Sequence, residues 1–279
     1  MADKKIKNNL STKWNWLKNI VALIIGCFYF APFFILLNIS FKPRMERTSH
    51  WMPSHNPTFD AFRSAFEQGH IGIAIKNTLI ITVVSVVLIV MIGSIASYPL
   101  ARRNTRVNKT ILSLVVGVMM VPPLSVLVPI YKEMVTLKGV NTYWGIIALS
   151  ITYNLPMAIF MFTNFISAIP KSLDEAALID GCSQFMIFPR IILPNMMPVV
   201  SSVLILTGVG IWNDYSFQLY MLQKPKLKTI TLAMNTFFGE STNLSAAAAA
   251  AVLAVIPVIV IYLCLQKYFI KGTMDSAIK

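Results

Sequence analysis

The stretch "NTLIITVVSVVLIVMIGSIASYPLARRNTRVNK", residues 77–109, decides the fold class. Asn77–Leu100 is a run of 24 residues without a charge, long enough for a helix to cross a bilayer. Arg102, Arg103, Arg106 and Lys109 follow with no acid among them, and basic links of this kind stay on the cytoplasmic side. One stretch therefore supplies a membrane span and its direction. The composition agrees: the 279 residues are 56% hydrophobic and 13% charged, where a soluble domain carries about a quarter charged residues.

Five further apolar runs lie at about 17–39, 111–130, 144–166, 191–211 and 246–265. The expected fold is an all-α integral membrane protein with six transmembrane helices, its residues 1–279 forming a single membrane domain. Lys4, Lys5, Lys7, Lys13 and Lys18 flank the first run, which no small-x-small cleavage site closes, so it reads as a retained helix. An even number of spans puts both termini on the basic, cytoplasmic side. Alternation then places Ser40–Lys76 and the stretch from Trp212 to Ser245 outside, and Ser167–Arg190 inside. Pro122, Pro123 and Pro129 interrupt the third run, where membrane helices tolerate kinks if neighbours satisfy the freed carbonyls.

Several functions are excluded. The net charge of +13 resides largely at the flanks of apolar runs, and no RNP-like, zinc-finger or helix-turn-helix pattern accompanies it, which excludes nucleic acid as a partner. Cys27, Cys182 and Cys264 make no disulfide framework, and His50, His55 and His70 share one polar loop that reads as solvated surface rather than as a metal site. No G-x-x-x-x-G-K-[ST] segment is present to cradle ATP phosphates, and no Ser-His-Asp or Cys-His grouping converges. The chain is read as carrying no catalytic residues, metal or cofactor of its own.

The inside loop about 167–190 holds the unusual segment "SLDEAALIDGCSQFMIFPRIILP", residues 172–194. Ser172 and Glu175 have capping-box spacing, and Asp174 and Glu175 fall where the helix dipole favours negative charge. Gly181 stands where a left-handed residue ends a helix. The result is a capped rod of about 13 Å. Leu173, Ala176, Ala177 and Asp180 share a face by helical spacing, and their small side chains let another surface approach. Ser183–Arg190 is expected to make a second short turn. A rod transmits a displacement that a flexible loop absorbs; a surface-lying helix without a partner is the plainer alternative.

The whole spacing, Glu175-Ala176-Ala177 followed by Gly181, Ile191 and Leu193-Pro194, resembles the EAA signature of ABC-importer membrane subunits, and most closely the sugar-importer branch similar to the maltose permease's second subunit. "SFKPRMERTSHWMPSHNPTFDAFRSAF", the second span with its basic link, Trp212–Tyr215 and "QKYFIKGTMDSAIK" resemble the same family, so the likeness covers nearly the whole chain. It implies a type I importer permease fold in a bacterial plasma membrane. It also implies a heterodimer with a second permease chain, two cytoplasmic ATPase subunits that bind ATP and Mg, and an extracytoplasmic solute-binding protein. By the same resemblance Ser172, Asp174, Glu175, Ala176, Ala177, Asp180 and Gly181 form the ATPase-coupling helix, and Lys271–Lys279 lie near that interface. The implied solute is a sugar; a glycerophosphodiester or a polyamine is the alternative within the class, and a non-transport membrane scaffold the alternative outside it.

Polar groups within spans are candidates for the translocation path. Tyr153 and Asn154 lie mid-run beside Pro156, and Asn213, Asp214 and Tyr215 close the fifth run. For Tyr153 and Asn154 an inter-helix hydrogen bond is favoured over solute contact, and Asp214 also reads as a solvated boundary residue. Ser94 and Ser97 are expected to bond their own helix backbone.

Overall fold

The computed structural model describes residues 2–46, 48–238 and 243–277. Among them every regular element is helical. In chain order these are α1 (Ala2–Ser40), α2 (Asp60–Glu67), α3 (Ile71–Arg102), α4 (Arg106–Met119), a 3-10 turn (Pro123–Val126) and α5 (Leu127–Thr136). Next come α6 (Tyr143–Ala168), α7 (Ser172–Ile179), α8 (Gln184–Ile187), a π turn (Phe188–Ile192), α9 (Leu193–Asn195) and α10 (Met197–Asn213). The last are α11 (Ser216–Met221), α12 (Ile230–Met234) and α13 (Leu244–Ala277). Ile278 and Lys279, at the end of the expected tail, lie outside the described residues.

Among the described residues, four helices are unbroken and long and apolar enough to cross a membrane: Lys18–Ser40, Ile71–Arg102, Tyr143–Ala168 and Leu244–Cys264. The other two spans are bent pairs, 106–119 with 123–136 at 93° and 184–195 with 197–213 at 72°. The third span is thus not the single run 111–130. Pro122 adopts the extended conformation (φ −62°, ψ 133°) that the following Pro123 imposes, and neither proline donates a backbone hydrogen bond. The helix stops at Met119, and its continuation runs on to Thr136, beyond the expected end. The fifth span bends at Met196, between Pro194 and Pro198. The second is longer than 77–100, starting at Ile71 behind a left-handed His70.

The chain forms two compact units, residues 1–69 with 237–253 and residues 70–236 with 254–279. In the first, Asn38 closes the loop after α1 by donating to the carbonyls of His50 and Met52, both at 2.7 Å. The buried Lys42 ammonium donates to the Thr48 hydroxyl and the Ser49 carbonyl. Hydroxyls of Ser54 and Thr48 donate to Glu46 and hold its carboxyl below the usual range. The alanines Ala246–Ala250 are buried, as expected where small residues permit close helix packing.

The second unit is built on α3, α6 and α10. Ile81 and Ile89 of α3, Ile146, Phe162 and Ile166 of α6, and Val203 of α10 are fully buried in one core. Gly93 sets the closest approach: a Cβ there would lie 3.3 Å from both Ala158 and Phe162. Ser97 bonds its own helix at Gly93 and also reaches across to the Ile159 carbonyl at 3.1 Å. Ser94 bonds its own helix, at Met91. At the far end, Asn77 donates to the carbonyls of Lys226 and Lys228 and accepts from the Tyr143 hydroxyl at 2.6 Å. Thr78 accepts from the Ile230 N–H. The segment after α11 is therefore tied to α3.

Candidate functional site

Two places in the second unit carry functional candidates: the loop between α6 and α10, and a cavity beside the middle of α6.

The loop begins where Pro170 forces Ile169 into an extended conformation (ψ 127°) and ends α6. Proline is suited to a first helical turn, and the next helix starts at once. The Pro170 carbonyl accepts from Leu173, and the Lys171 carbonyl from Asp174 and Glu175. Ser172 is consequently inside the helix rather than before it. The helix has no side-chain cap, and the expected Ser172–Glu175 capping box does not form. The other end is sealed. Gly181 has φ +80°, its N–H donates to Leu178 at 3.1 Å, and the Cys182 N–H donates to Ala177 at 2.9 Å. This is the paired bonding of a Schellman motif. A second turn follows, α8 and the π turn, with Ile187 buried and Phe188 packed on the core.

The two faces of α7 differ from the expected face of Leu173, Ala176, Ala177 and Asp180. Ala177 is buried and Asp174 half-buried, one helical turn apart on the inner side. Leu173, Glu175, Ala176 and Asp180 are exposed with Ser172 and Gly181. The exposed side includes large apolar groups, Ile179 at 86% and, in the second turn, Phe185 at 91%.

Asp174 faces inward because Arg102 holds it. Nε and Nη2 of Arg102 each donate to one Asp174 oxygen at 2.9 Å, a bidentate pairing. The Tyr98 hydroxyl also donates to Asp174, at 3.2 Å. Nη1 of Arg102 donates to the carbonyls of Ile166 (3.0 Å) and Ile169 (2.8 Å) at the end of α6, where helix carbonyls lack partners and the dipole favours a cation. The Arg102 and Asp174 side chains are 9% and 15% exposed. The Tyr98 ring packs on Phe188 at 5.5 Å. The last turn of α3 thus grips both turns of the loop. Sequence reading took Arg102 only as a topology signal; its one sequence mark is its place at the junction of an apolar run and a charged link.

The cavity, of about 330 Å³, is lined by Leu149, Ser150, Tyr153 and Asn154 of α6, by Gly210, Ile211 and Asp214 at the end of α10, by Ser216 and Phe217 of α11, and by Pro123 and Leu124 at the break in the third span. Its volume is at the small end of the range for small-molecule sites. The Tyr153 ring packs on Phe217 at 5.1 Å, and its hydroxyl is 3.4 Å from the Val121 carbonyl. Asn154 donates to Ser150 of its own helix rather than across to another. Asp214 is half-buried, not a freely solvated boundary group, and accepts from the Phe217 N–H in the first turn of α11. Asn213 and Tyr215 do not line the cavity: Asn213 bonds back to Val209 of α10, and the Tyr215 hydroxyl accepts from Asn235. Ser150 and Phe217 were missed. Ser150, Tyr153 and Asn154 form an i, i+3, i+4 polar stripe in an apolar run, a signal that was available.

Residues 89–274 match the family described as binding-protein-dependent transport system inner membrane component. The chain belongs to this family. Among transport-system components, it is 41% identical to the melibiose/raffinose/stachyose import permease protein MelC of Bacillus subtilis over 93% of this chain and 95% of that one. It is 29% identical to the arabinooligosaccharides transport system permease protein AraQ of Halalkalibacterium halodurans over 98% and 100%. The fold is similar to a chain in the crystal structure of a bacterial ABC transporter that imports the acidic polysaccharide alginate (TM-score 0.77, 18% identity, 91% of this chain and 97% of that chain). The family match runs from Ile89 in α3 through the α6–α10 loop into α13.

Proposed function

We propose that this chain is the permease subunit of an ATP-driven importer for an oligosaccharide, and that α7 is the lever through which partner ATPases turn the cavity. The observation that carries the reading is α7 itself: a short helix sealed by a Schellman turn and gripped at Asp174, with Ile179 and Phe185 left bare on its outer side. Exposed apolar groups on a rigid element suit a protein partner. The full-length likeness to permeases named for raffinose-type sugars and arabinooligosaccharides supports a saccharide over a glycerophosphodiester or a polyamine. The cavity's lining supports it too, since the Tyr153–Phe217 pair offers an aromatic wall and Ser150, Asn154 and Ser216 offer hydrogen-bonding groups. ATP and Mg belong to two ATPase subunits on the cytoplasmic side. A second permease completes the path, and an extracytoplasmic binding protein delivers the solute; a structure of the alginate transporter with its saccharide-bound periplasmic protein offers a parallel.

The orientation follows from the basic link after α3. A cysteine at the exposed Asn104 is expected to react with an impermeant maleimide only from the cytoplasmic side, and one at the exposed His55 only from outside. A probe at Asn104 leaves intact the neighbouring Thr105 hydroxyl, which caps α4 through Asn108. Labelling of both from one side would overturn the topology.

The cavity is tested by Tyr153→Ala in complexes reconstituted with their binding protein. Loss of an aromatic pair costs about 0.5–1.5 kcal/mol, or roughly two- to twelvefold. Saccharide uptake is expected to fall by about that factor while ATPase subunits still co-purify. Unchanged uptake of every saccharide carried by the wild type removes the cavity from the path.

A further inference from the structure

We infer that Arg102 is a positioning residue for coupling: it makes α7, the end of α3 and the end of α6 a single mechanical body, so that a push on α7 is delivered to the cavity. The inference rests on the proposed lever role of α7.

Besides Arg102, α7 is tied to the helices it must move by the Tyr98 hydroxyl on Asp174 and, through the second turn, by Ile187 and Phe188. Its covalent link to α6 is Ile169–Pro170–Lys171, whose backbone is non-helical at Ile169. Its apolar anchorage is Ala177 together with Cys182 just beyond it. Both are small, and a small apolar surface resists sliding weakly. Arg102 supplies the directional part. Four of its N–H groups are committed, two to Asp174 and two to the terminal carbonyls of α6, and the planar guanidinium fixes their relative angles. Few side chains can face a carboxylate and two carbonyls at once. The clamp is mostly shielded from water, so solvent does not readily replace it.

The body it completes is stiff. Gly93 and Ser97 bring α3 against Ala158, Ile159 and Phe162 of α6. From Ile166 to Tyr153 the same α6 runs on for 13 residues, about 20 Å at 1.5 Å per residue. A displacement accepted at Asp174 therefore arrives at Tyr153 and Asn154 along one continuous helix, in which Pro156 lacks a backbone donor just short of Asn154.

The test is Arg102→Lys in the reconstituted complex, read as saccharide molecules taken up per ATP hydrolysed. Lysine keeps the positive charge of the link, so a residue needed only for membrane orientation tolerates it. Its ammonium cannot make the bidentate pairing or serve all four acceptors. We expect ATP hydrolysis to persist and uptake per ATP to fall roughly tenfold. Asp174→Asn, which keeps size and loses charge, should do the same, and Asp174→Glu should recover part of the ratio. Should Arg102→Lys fail to assemble, Asp174→Asn and Asp174→Glu carry the same comparison. A wild-type ratio in Arg102→Lys and Asp174→Asn overturns the inference, as does a fall in hydrolysis and uptake by one common factor, which marks a merely structural role. Disruption of the loop at Gly181 separates the two levels: if that uncouples and the clamp variants do not, only the clamp is wrong, and if neither uncouples, the lever itself is wrong.

Discussion

Gly181→Val is expected to reduce saccharide uptake to background while the complex still assembles and hydrolyses ATP. Gly181 has φ +80°, and a Cβ there would meet nothing within 4 Å. The conflict is therefore not with neighbours but with the residue's own backbone. A left-handed conformation costs an ordinary residue about 1–2 kcal/mol, and a β-branched one is a true outlier there. Valine escapes the cost by leaving the left-handed region. The N–H groups of residue 181 and Cys182 then lose the Leu178 and Ala177 carbonyls, and the chain departs from α7 in a new direction. Ile187 and Phe188 cannot then reach the core while Asp174 stays on Arg102. Asparagine tolerates the left-handed region, so Gly181→Asn should keep more than about half of wild-type uptake, with Gly181→Ala between. Ser172→Ala should be silent, because the Ser172 hydroxyl caps nothing. The series is read as paired uptake and ATPase measurements in proteoliposomes. Wild-type uptake in Gly181→Val, or equal damage from Asn and Val, defeats the account.

The same loop shows which kinds of fact a sequence can carry. Gly181 was readable because a glycine after a helical run has one common backbone reason to be there. Ser172 was misread because two start signals stand side by side, and Pro170, with its preset φ, outcompetes a serine cap two residues later. The inner and outer faces of α7 depend on where Arg102 reaches, a contact 72 residues away in sequence. Periodicity assigns faces within a helix but cannot name the neighbour. Span number followed from hydropathy, since a bilayer imposes its thickness on every run. The bends of 93° and 72° did not, because prolines mark where a helix can break and tertiary packing decides how far it turns. The cavity residues divided for a related reason. Tyr153, Asn154 and Asp214 face one space, while Asn213 and Tyr215, adjacent to Asp214, point elsewhere as α10 ends.

Gly145→Ala is expected to destabilise the chain by about 3 kcal/mol or more, the upper range for overpacking. Gly145 lies in the first turn of α6, where its N–H donates to the Thr142 hydroxyl at 3.2 Å. A Cβ at this position would stand 2.1 Å from the Gly139 carbonyl oxygen and 2.7 Å from its carbon. Such overlap with backbone cannot be relieved by a side-chain rotation, so the turn or the helix must move. Neither is free. The Gly139 carbonyl accepts from Thr142 at 2.6 Å, and the Gly139 N–H donates to Met134 at 2.8 Å. The adjacent Asn141 is held in a left-handed conformation by three bonds, from its N–H to Met221 and to its side chain from the N–H groups of Gln223 and Lys224. Moving the turn therefore breaks the tie between the start of α6 and the segment after α11, the helix whose Ser216 and Phe217 line the cavity. Gly139→Ala is the contrasting variant: the nearest atoms to its Cβ would belong to the side chains of Met134 and Trp144, at 3.0–3.2 Å, rather than to backbone, and a flexible methionine can yield. In detergent-purified complexes we expect a clear fall in the unfolding midpoint for Gly145→Ala and a smaller one for Gly139→Ala. Equal midpoints for Gly145→Ala and wild type would mean that the 137–142 turn is not pinned as described and can retreat at little cost.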